Sequence, residues 1–339
     1  DWDSERATEK LVAQIGSDGR LHHTEDGQVV HVTMVEKMLV LLLAKLTNLV
    51  PEGGIWMNTQ RPEWNDANNA LVGKGISVVT TAYLRRFIAF WQAQLAGAET
   101  ATFHVNVAIR DLLEAVQAIL ASSQSSLETG FSAEDRRAVM DALGTAATEY
   151  RSSIYGDGLP AEQAEVTGRE LRDFLALAQI HLEHTLRTNR RADHLYQAYN
   201  ILRLGSQSAA VDHLYPMLEG QVAILSSGML TPDEAVALLK SMRHSDLYRP
   251  DQHSYLLYPN RALPGFVQKN NIPAEQVADS PLVAALTSAG DQRLMSRDDA
   301  GVYHFNGMFR NADDVARGLA ALAQEPDYAK LVAAEKGFI

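Results

Sequence analysis

A helical period of 3.6 residues runs through most of the chain, and it restricts the fold more than any other feature of the sequence. Apolar residues recur along one broad face of each helical segment, and most connections between segments are short. This pattern predicts a mainly α-helical protein. The predicted helices are residues 33–48, 76–97, 101–127, 132–153, 160–187, 191–204, 208–229, 232–243, 273–289 and 312–337.

Helix-capping residues support two of these helices. Ser132 is followed by two acids within three residues, which is typical of an N-cap and a first helical turn. Thr231 is followed by a proline and, three residues after the threonine, by Glu234. That spacing predicts a capping box. Strand-like alternation is rare, and its two best stretches are residues 301–309 and 27–34.

Long helices in successive pairs predict an array of helical hairpins rather than a small bundle. No internal repeat of about 34 or 40 residues is visible, which argues against an open solenoid of tetratricopeptide or HEAT type. We therefore predict an all-α fold, a closed α/α toroid that forms one domain over residues 1–339. Its long rim loops are the polar inserts at residues 51–75, 244–272 and 291–311, each longer than an ordinary helix–helix connection.

Composition excludes several functional classes. The net charge is −12, with acids spread along the chain, which argues against nucleic acid or an anionic membrane as a partner. The absence of cysteine excludes disulfides, thiolate metal sites and a cysteine nucleophile. The longest apolar run, residues 38–46, is interrupted by Lys45 and is shorter than the roughly 20 residues that span a bilayer. We predict no metal site and no organic cofactor.

The beginning of the chain bears on its origin. It opens Asp1-Trp2-Asp3, without a methionine and without the basic and apolar regions of a signal peptide. We therefore expect a processed piece, or a fragment of a longer protein whose remainder would be a partner. The compartment is not fixed by the sequence, and a soluble, cytoplasmic protein is the expectation.

The most unusual stretch is RPEWNDANN, residues 61–69, within the first polar insert. Glu63 and Asp66 stand three apart, so a helical turn would place both carboxylates on one face. Glycosidic cleavage uses a protonated carboxylic acid whose pKa apolar surroundings raise, and Trp64 can supply both that wall and a stacking surface for a sugar. The carboxamides that match vicinal hydroxyl groups are Asn65, Asn68 and Asn69. The alternative is an Asn/Asp-rich turn that caps the next helix.

The second insert suggests a similar ligand. It places several tyrosines, including Tyr255, among arginine and carboxamide side chains, including Arg261. Aromatic faces beside such polar groups suit a polyhydroxylated ligand. The alternative is a loop that its aromatic residues hold against the core.

The segment EWNDANNALVGKGISVVTTAYLRRFIAFW resembles the active-site segment of the cellobiose and chitobiose phosphorylase family. That family has Asp-Trp-Asn-Asp-Gly-Met-Asn, then a short stretch ending in glycine, then an aromatic-rich helix. The matching positions are Trp64, Asn65, Asp66 and Asn69, whereas Glu63 replaces the first aspartate. The resemblance implies that Asp66 is the general acid and that Trp64 lines the sugar subsite beside the cleaved bond.

A weaker similarity follows later in the chain. Residues 219–229, EGQVAILSSGM, resemble a Gly-Gln…Val-Leu-Ser-Gly helix of the same family, which makes Gln221 a candidate sugar ligand. The family's fold, the six-hairpin (α/α)6 barrel, has twelve helices and agrees with the predicted toroid. Because fewer helices are predicted here, the resemblance implies that upstream helices lie outside this chain and that the barrel is incomplete at its N-terminus.

The attacking species is left open. The family's phosphate-binding set of His, Arg, Thr and Gly has no match in this sequence, so phosphorolysis with inorganic phosphate as co-substrate and inverting hydrolysis both stand. Hydrolysis needs a carboxylate base, and Glu219, a lone acid in an apolar stretch, is the candidate. The alternative for Glu219 is a helix-surface carboxylate or one bonded to a neighbouring loop.

The sequence therefore predicts a carbohydrate-active enzyme, a glycoside hydrolase or glycoside phosphorylase that cleaves an oligo- or polysaccharide with inversion. In it Arg61, Glu63, Asn65 and Asn69 would hold hydroxyl groups or orient Asp66. The first rival is a non-catalytic toroid that binds glycans or scaffolds a larger protein. The second is an open helical solenoid for protein–protein contact.

Two further motifs are interpreted as structural. HLEH, residues 181–184, lacks the remaining ligands of a zinc site, so surface or capping histidines are expected. RTNRR, residues 187–191, is a short basic stretch in an acidic chain, which is typical of a helix terminus.

Overall fold

The computed structural model describes residues 2–23, 26–57, 71, 73–260 and 263–335. The chain divides into two compact units, Asp1–Asn260 and Arg261–Ile339. The predicted all-α toroid is wrong, because 54% of the structure is helical and a five-stranded antiparallel sheet lies in the first unit, with several smaller sheets besides. The fold belongs to the mixed α/β class.

The first unit begins with helical elements and alternates with short strands thereafter. Its described helices are α1 (Trp2–Ile15), α2 (Met34–Leu46), α3 (Val78–Gln94), α4 (Val107–Ser122), α5 (Ser126–Thr129), α6 (Ala133–Asp157), α7 (Gly168–Thr188), α8 (Leu218–Ser226) and α9 (Pro232–His244). Its described strands are β1 (Leu49–Val50), β2 (Gly54–Trp56), β3 (Gly75–Ser77), β4 (Thr102–Asn106), β5 (Gln163–Thr167), β6 (Tyr199–Leu204), β7 (Ala209–His213), β8 (Tyr248–Arg249) and β9 (Ser254–Tyr255).

Helix capping occurs where the sequence predicts it. The Ser132 side chain accepts a hydrogen bond from the backbone N–H of Asp135 at the start of α6. Thr231 and Glu234 form a complete capping box at the start of α9, which confirms that prediction. The longer helices then bury one apolar face each. Trp91 of α3, Leu113 of α4 and Phe174 of α7 belong to the largest apolar core.

Four predicted helices contain strands instead. The segment 191–204 is wrong as a helix because its second half is β6. The segments 101–127, 160–187 and 208–229 each begin with a strand, namely β4, β5 and β7, before a helix follows. These strands pair with distant parts of the chain, for example β4 with β5 and β3 with β6.

The two strand predictions differ in outcome. The stretch 301–309 contains a strand at Tyr303–Phe305, which confirms the prediction there. In the stretch 27–34 the structure shows one isolated bridge, between Val29 and His23, and no strand among the described residues.

The five-stranded sheet has the order β1-β2-β3-β6-β7, and each neighbouring pair is antiparallel. Trp56 pairs with Ile76, Ile76 with Asn200, and Asn200 with His213. Paired residues share a face and consecutive residues alternate, so these four side chains lie on one side, here called the Asn200 face. Tyr199 lies on the other side, here called the Tyr199 face.

The second unit is described by itself. Its helices are α10 (Phe266–Lys269), α11 (Ala274–Val277), α12 (Pro281–Ala289), α13 (Ala312–Leu322) and α14 (Ala329–Ala334), and a hairpin joins β10 (Met295–Arg297) to β11 (Tyr303–Phe305). Leu282, Leu286 and Leu294 are fully buried in its separate apolar core. In neither unit is a described helix long and apolar enough to cross a membrane.

Candidate functional site

Most of the predicted active-site segment lies outside the described residues. The predicted residues in this position are Arg61, Glu63, Trp64, Asn65, Asp66, Asn69 and, from the second insert, Arg261. The structure does describe the residues at which the segment 58–72, which contains most of these candidates, leaves and rejoins the sheet. The described candidates that remain are Glu219, Gln221 and Tyr255.

Both ends of the 58–72 segment are fixed at the end of the β2–β3 pair. The Met57 N–H donates to the Gly75 carbonyl at 2.8 Å, and the Gly73 N–H donates to the Met57 carbonyl at 2.7 Å. The Trp56 indole N–H donates to the Gly73 carbonyl at 3.1 Å. The segment therefore starts and finishes at neighbouring points of one antiparallel ladder.

These ends lie on the Tyr199 face of the sheet. Met57 and Leu71 belong to an apolar cluster that also contains Tyr199, Met217 and Tyr215. The chain that carries the predicted general acid thus departs from, and returns to, the surroundings of Tyr199.

A carboxylate stands at the same place. The Tyr199 hydroxyl donates to Oε2 of Glu219 at 2.6 Å, a length typical of an O–H donor on an ionised carboxylate. Glu219 lies in the first turn of α8, where the helix dipole favours a negative charge, and it is half-buried. The predicted candidate base is therefore a helix N-terminal carboxylate fixed by a strand tyrosine.

The second insert also reaches the start of α8. The Leu218 N–H donates to the Leu257 carbonyl at 2.8 Å. The ring of Tyr258 packs edge-on against that of Tyr215, with 6.2 Å between centroids, and more than half of the Tyr258 side chain is exposed. An accessible aromatic edge and a fixed carboxylate thus lie together near α8, which is the combination that sugar sites use.

Gln221 has a supporting position. Its Oε1 accepts from the Tyr196 N–H at 2.8 Å, and its Nε2 donates to the carbonyls of Tyr196 and Met217 at 2.8 and 2.9 Å. Its exposed fraction is 0%. These contacts anchor the start of α8 to Tyr196, and the predicted sugar contact of Gln221 stays a prediction.

Tyr255 belongs to a separate aromatic stack. Its ring lies 5.3 Å from that of Tyr248, and the Arg243 guanidinium lies 3.6 Å from the Tyr248 centroid. Tyr255 remains 37% exposed. The predicted sugar contact of Tyr255 stays a prediction.

The HLEH histidines support the fold. His181 is buried rather than on the surface, and its Nε2 lies 2.9 Å from the Leu120 carbonyl in the last turn of α4, which agrees with the capping part of the expectation. Burial lowers the pKa of His181. His184 lies 3.2 Å from a carboxylate oxygen of Glu52. Within the described residues, no three histidine or acidic side chains come together in a way that could hold a metal ion.

Comparison with known families adds one finding. Residues 263–339 match the family described as GH149 phosphorylase insertion domain 2. This range coincides with the second compact unit. No curated protein matches the chain. The match supports the prediction of a carbohydrate-active enzyme at the level of the glycoside phosphorylases. It does not support the narrower predictions of the cellobiose and chitobiose phosphorylase family and of the barrel fold.

Proposed function

We propose that this chain is the part of an inverting glycoside phosphorylase that carries its general acid, acting on an oligo- or polysaccharide. The main observation behind the proposal is the position of the 58–72 segment: both of its ends lie in the apolar cluster around Tyr199. The Tyr199 hydroxyl donates a hydrogen bond to the Glu219 carboxylate. The family match of residues 263–339 favours phosphate over water as the second substrate.

Asp66 is close enough in sequence to serve this site. It stands five residues before Leu71, and five extended residues span at most about 18 Å. Because Leu71 lies in the same cluster as Tyr199, a sugar bound beside Glu219 is within the range of the Asp66 carboxyl.

The proposed reaction follows from these positions. Asp66 donates its proton to the glycosidic oxygen as the bond from that oxygen to the anomeric carbon breaks. A phosphate oxygen attacks the anomeric carbon from the opposite face of the ring. The products are a sugar 1-phosphate of inverted configuration and a shortened saccharide. No protein base is required in this reaction, because phosphate is already an anionic nucleophile.

The other residues then bind and orient the substrate. Glu219 accepts hydrogen bonds from sugar hydroxyl groups, and Tyr199 keeps its carboxylate aligned. Trp64 and Tyr258 offer aromatic faces to the sugar rings. The residues proposed to hold hydroxyl groups or to orient Asp66 are Arg61, Glu63, Asn65 and Asn69.

The test is a screen of the full chain against an oligosaccharide panel, with and without inorganic phosphate. We expect sugar 1-phosphate to form only when phosphate is present. Asp66→Asn should lower turnover by about 10²- to 10⁴-fold because the general acid is lost, while saccharide binding persists. Asp111→Asn, which changes an exposed aspartate of α4, is the matched control and should leave turnover unchanged.

Three results would contradict parts of this scheme. Wild-type turnover by Asp66→Asn would remove the assigned acid. Release of reducing sugar that needs no phosphate would assign water as the nucleophile, with Glu219 as the base. Saccharide binding without turnover under both conditions would favour the non-catalytic glycan-binding protein.

A further inference from the structure

A cavity lies on the Asn200 face of the sheet. Its volume is about 380 Å³, and it is lined by residues 188–193 together with Gln197 and His213. The wall is thus built largely from the basic stretch RTNRR and the residues that follow it. We call this space the loop cavity. Its volume lies at the lower end of the range of ligand pockets, about 300–1,000 Å³.

Gln197 supplies the first unusual feature. Only 4% of this residue is exposed, and its Oε1 has no hydrogen-bond partner within the described part of the chain. An unpartnered buried acceptor destabilises a fold, and such groups are rare. The last side-chain torsion of glutamine is soft, so the amide can turn toward a ligand in the cavity at little cost.

His213 supplies a second acceptor, because its neighbours fix its tautomer. Asn200 donates through Nδ2 to the Gly53 carbonyl at 2.8 Å and to Oδ1 of Asn189 at 2.7 Å. Its Oδ1 therefore faces His213 Nδ1, at 2.8 Å, and accepts a hydrogen bond from the Nδ1–H. In the neutral ring Nε2 is then left with a free lone pair.

The charged groups decide which ligand fits. Asp193 accepts bonds from Arg191 and from the Leu195 N–H. Burial raises the pKa of Asp193, and these bonds lower it by more, so the carboxyl ionises below its usual range. Arg190 donates to His194 Nδ1 at 2.9 Å and has further N–H donors. The wall therefore combines arginine N–H donors with three acceptors, which are Gln197 Oε1, His213 Nε2 and the Asp193 carboxylate.

A phosphate ion is a poor match for that wall, since it brings mainly acceptors and would meet the Asp193 carboxylate. Sugar hydroxyl groups both donate and accept. We propose that the loop cavity is an accessory site for one pyranose-sized sugar, whose hydroxyl groups donate to Gln197 Oε1 and His213 Nε2 and accept from Arg190. The sugar is either a free monosaccharide or the end of an oligosaccharide.

This site is separate from the proposed active site. Tyr199 and Asn200 are consecutive residues of β6 and point to opposite faces of the sheet. Glu219 is bonded on the Tyr199 face, whereas Asn200 connects His213 to Asn189 on the other. The proposal of an accessory site therefore does not depend on the proposed catalysis, and each can be tested separately.

The test is titration of the full chain with D-glucose and with a gluco-oligosaccharide, followed by ligand-observed NMR. We expect binding at millimolar concentration, weakened about tenfold in Gln197→Met, because one hydrogen bond is lost. Gln179→Met, which changes a half-buried glutamine of α7 paired with Glu183, is the control and should bind as the wild type does. Glu219→Gln should also leave this binding unchanged, which separates the two sites.

Thermal unfolding without sugar gives a second readout. Gln197→Met should raise the unfolding temperature, because it removes an unpartnered buried amide. If this variant does not fold, Arg190→Met replaces it and should weaken glucose binding to a similar extent. A glucose titration that neither substitution changes would overturn the proposal. So would binding of inorganic phosphate alone, or a lowered unfolding temperature in Gln197→Met, which would show that the amide already has a partner.

Discussion

Tyr199 and Asn200 are neighbours in sequence, yet the two faces of the sheet that they define differ in character. The Asn200 side chain is fully buried and bonded to a backbone carbonyl, an asparagine and a histidine. Tyr199 instead reaches a half-buried carboxylate at a helix start, next to exposed aromatic surface. One strand thus anchors the fold on one side and holds a tyrosine–carboxylate pair on the other.

The Asn200 face continues into a buried ionic network. Asn189, which Asn200 contacts, donates to the backbone carbonyl of Glu52. The Glu52 carboxylate accepts from Arg136 at 2.6 Å and from the backbone N–H of Phe131. Glu52 has a φ of 62°, which is uncommon for a residue other than glycine. These contacts hold the β1–β2 turn against α6. Polar groups therefore fix this side together with an apolar cluster that includes Val50, Ile76 and Met140.

The strongest test of the structural face is Arg136→Met. Arg136 is 8% exposed and donates to the carbonyls of Pro51, Ala209 and Phe131 as well as to Glu52. Its loss leaves three backbone carbonyls without this buried donor and removes the arginine partner of the partly buried Glu52 carboxylate. The free energy of unfolding should therefore fall by about 3–5 kcal/mol. Urea unfolding followed by tryptophan fluorescence measures this, because all four tryptophans lie in the first unit.

The adjacent residue provides a control for this substitution. Arg137 forms an exposed ion pair with Asp141. Arg137→Met should therefore change the free energy of unfolding by less than about 1 kcal/mol. Equal effects of the two substitutions would mean that the Glu52 network does not hold the turn.

The next largest effect compares the two faces directly. Asn200→Leu removes the partner of the buried Gly53 carbonyl, of the buried Asn189 amide oxygen and of the more exposed His213 ring. It should lower the free energy of unfolding by about 3 kcal/mol. Tyr199→Phe removes one hydroxyl and should cost about 1 kcal/mol or less in stability, yet lower kcat/KM about tenfold. Urea unfolding and initial rates on the same samples check both. A stability loss in Tyr199→Phe as large as that in Asn200→Leu would break the contrast.

The smallest effect lies outside the sheet, in the second unit. His304 lies 2.6 Å from the Asn270 carbonyl through Nδ1 and 3.2 Å from Asp298 through Nε2. First the carbonyl and then the carboxylate favour the doubly protonated ring and raise the pKa of His304. Its stabilisation is thus complete below the unfolded pKa of about 6.5 and lost as pH rises through the higher folded value.

Hydrogen exchange of the 295–305 hairpin against pH measures this loss. Protection should decline as pH rises above the ordinary histidine pKa of about 6.5, beyond the intrinsic effect of pH on exchange. In His304→Gln that additional decline should disappear. A decline that persists in the variant would assign the pH dependence to another group, and neither face of the sheet in the first unit should respond.

Apart from the strand at Tyr303–Phe305, the helices were predictable and the strands were not, for a physical reason. A helix carries its own signals, such as the Ser132 and Thr231 caps and an apolar face along one segment. β4 and β6 gain their partners from segments far along the chain, which no local period reveals. Several short strands lie directly before helices. Their residues were therefore assigned to those helices on the 3.6-residue pattern, and the predicted fold was a helical toroid.

The same cause explains which site residues were found. Glu219 was identifiable as a lone acid among apolar residues, and the structure supplies the tyrosine that holds it. Tyr199 was missed because residues 191–204 were interpreted as a helix, and AYNILRL has no apolar–polar alternation that would indicate a strand. The buried position of Gln221 follows from bonds to Tyr196, a contact that sequence spacing does not predict.

The closed base of the 58–72 segment has an evolutionary consequence. Because Met57 bonds to both Gly73 and Gly75, the strand register is set below the segment and does not depend on what lies between. Lengthening such a closed excursion adds only slowly to the entropy of closure, about 0.6 kcal/mol for each doubling. Insertions, deletions or recombination within residues 58–72 can therefore occur while β2 and β3 keep their pairing, and new specificities can arise in this segment.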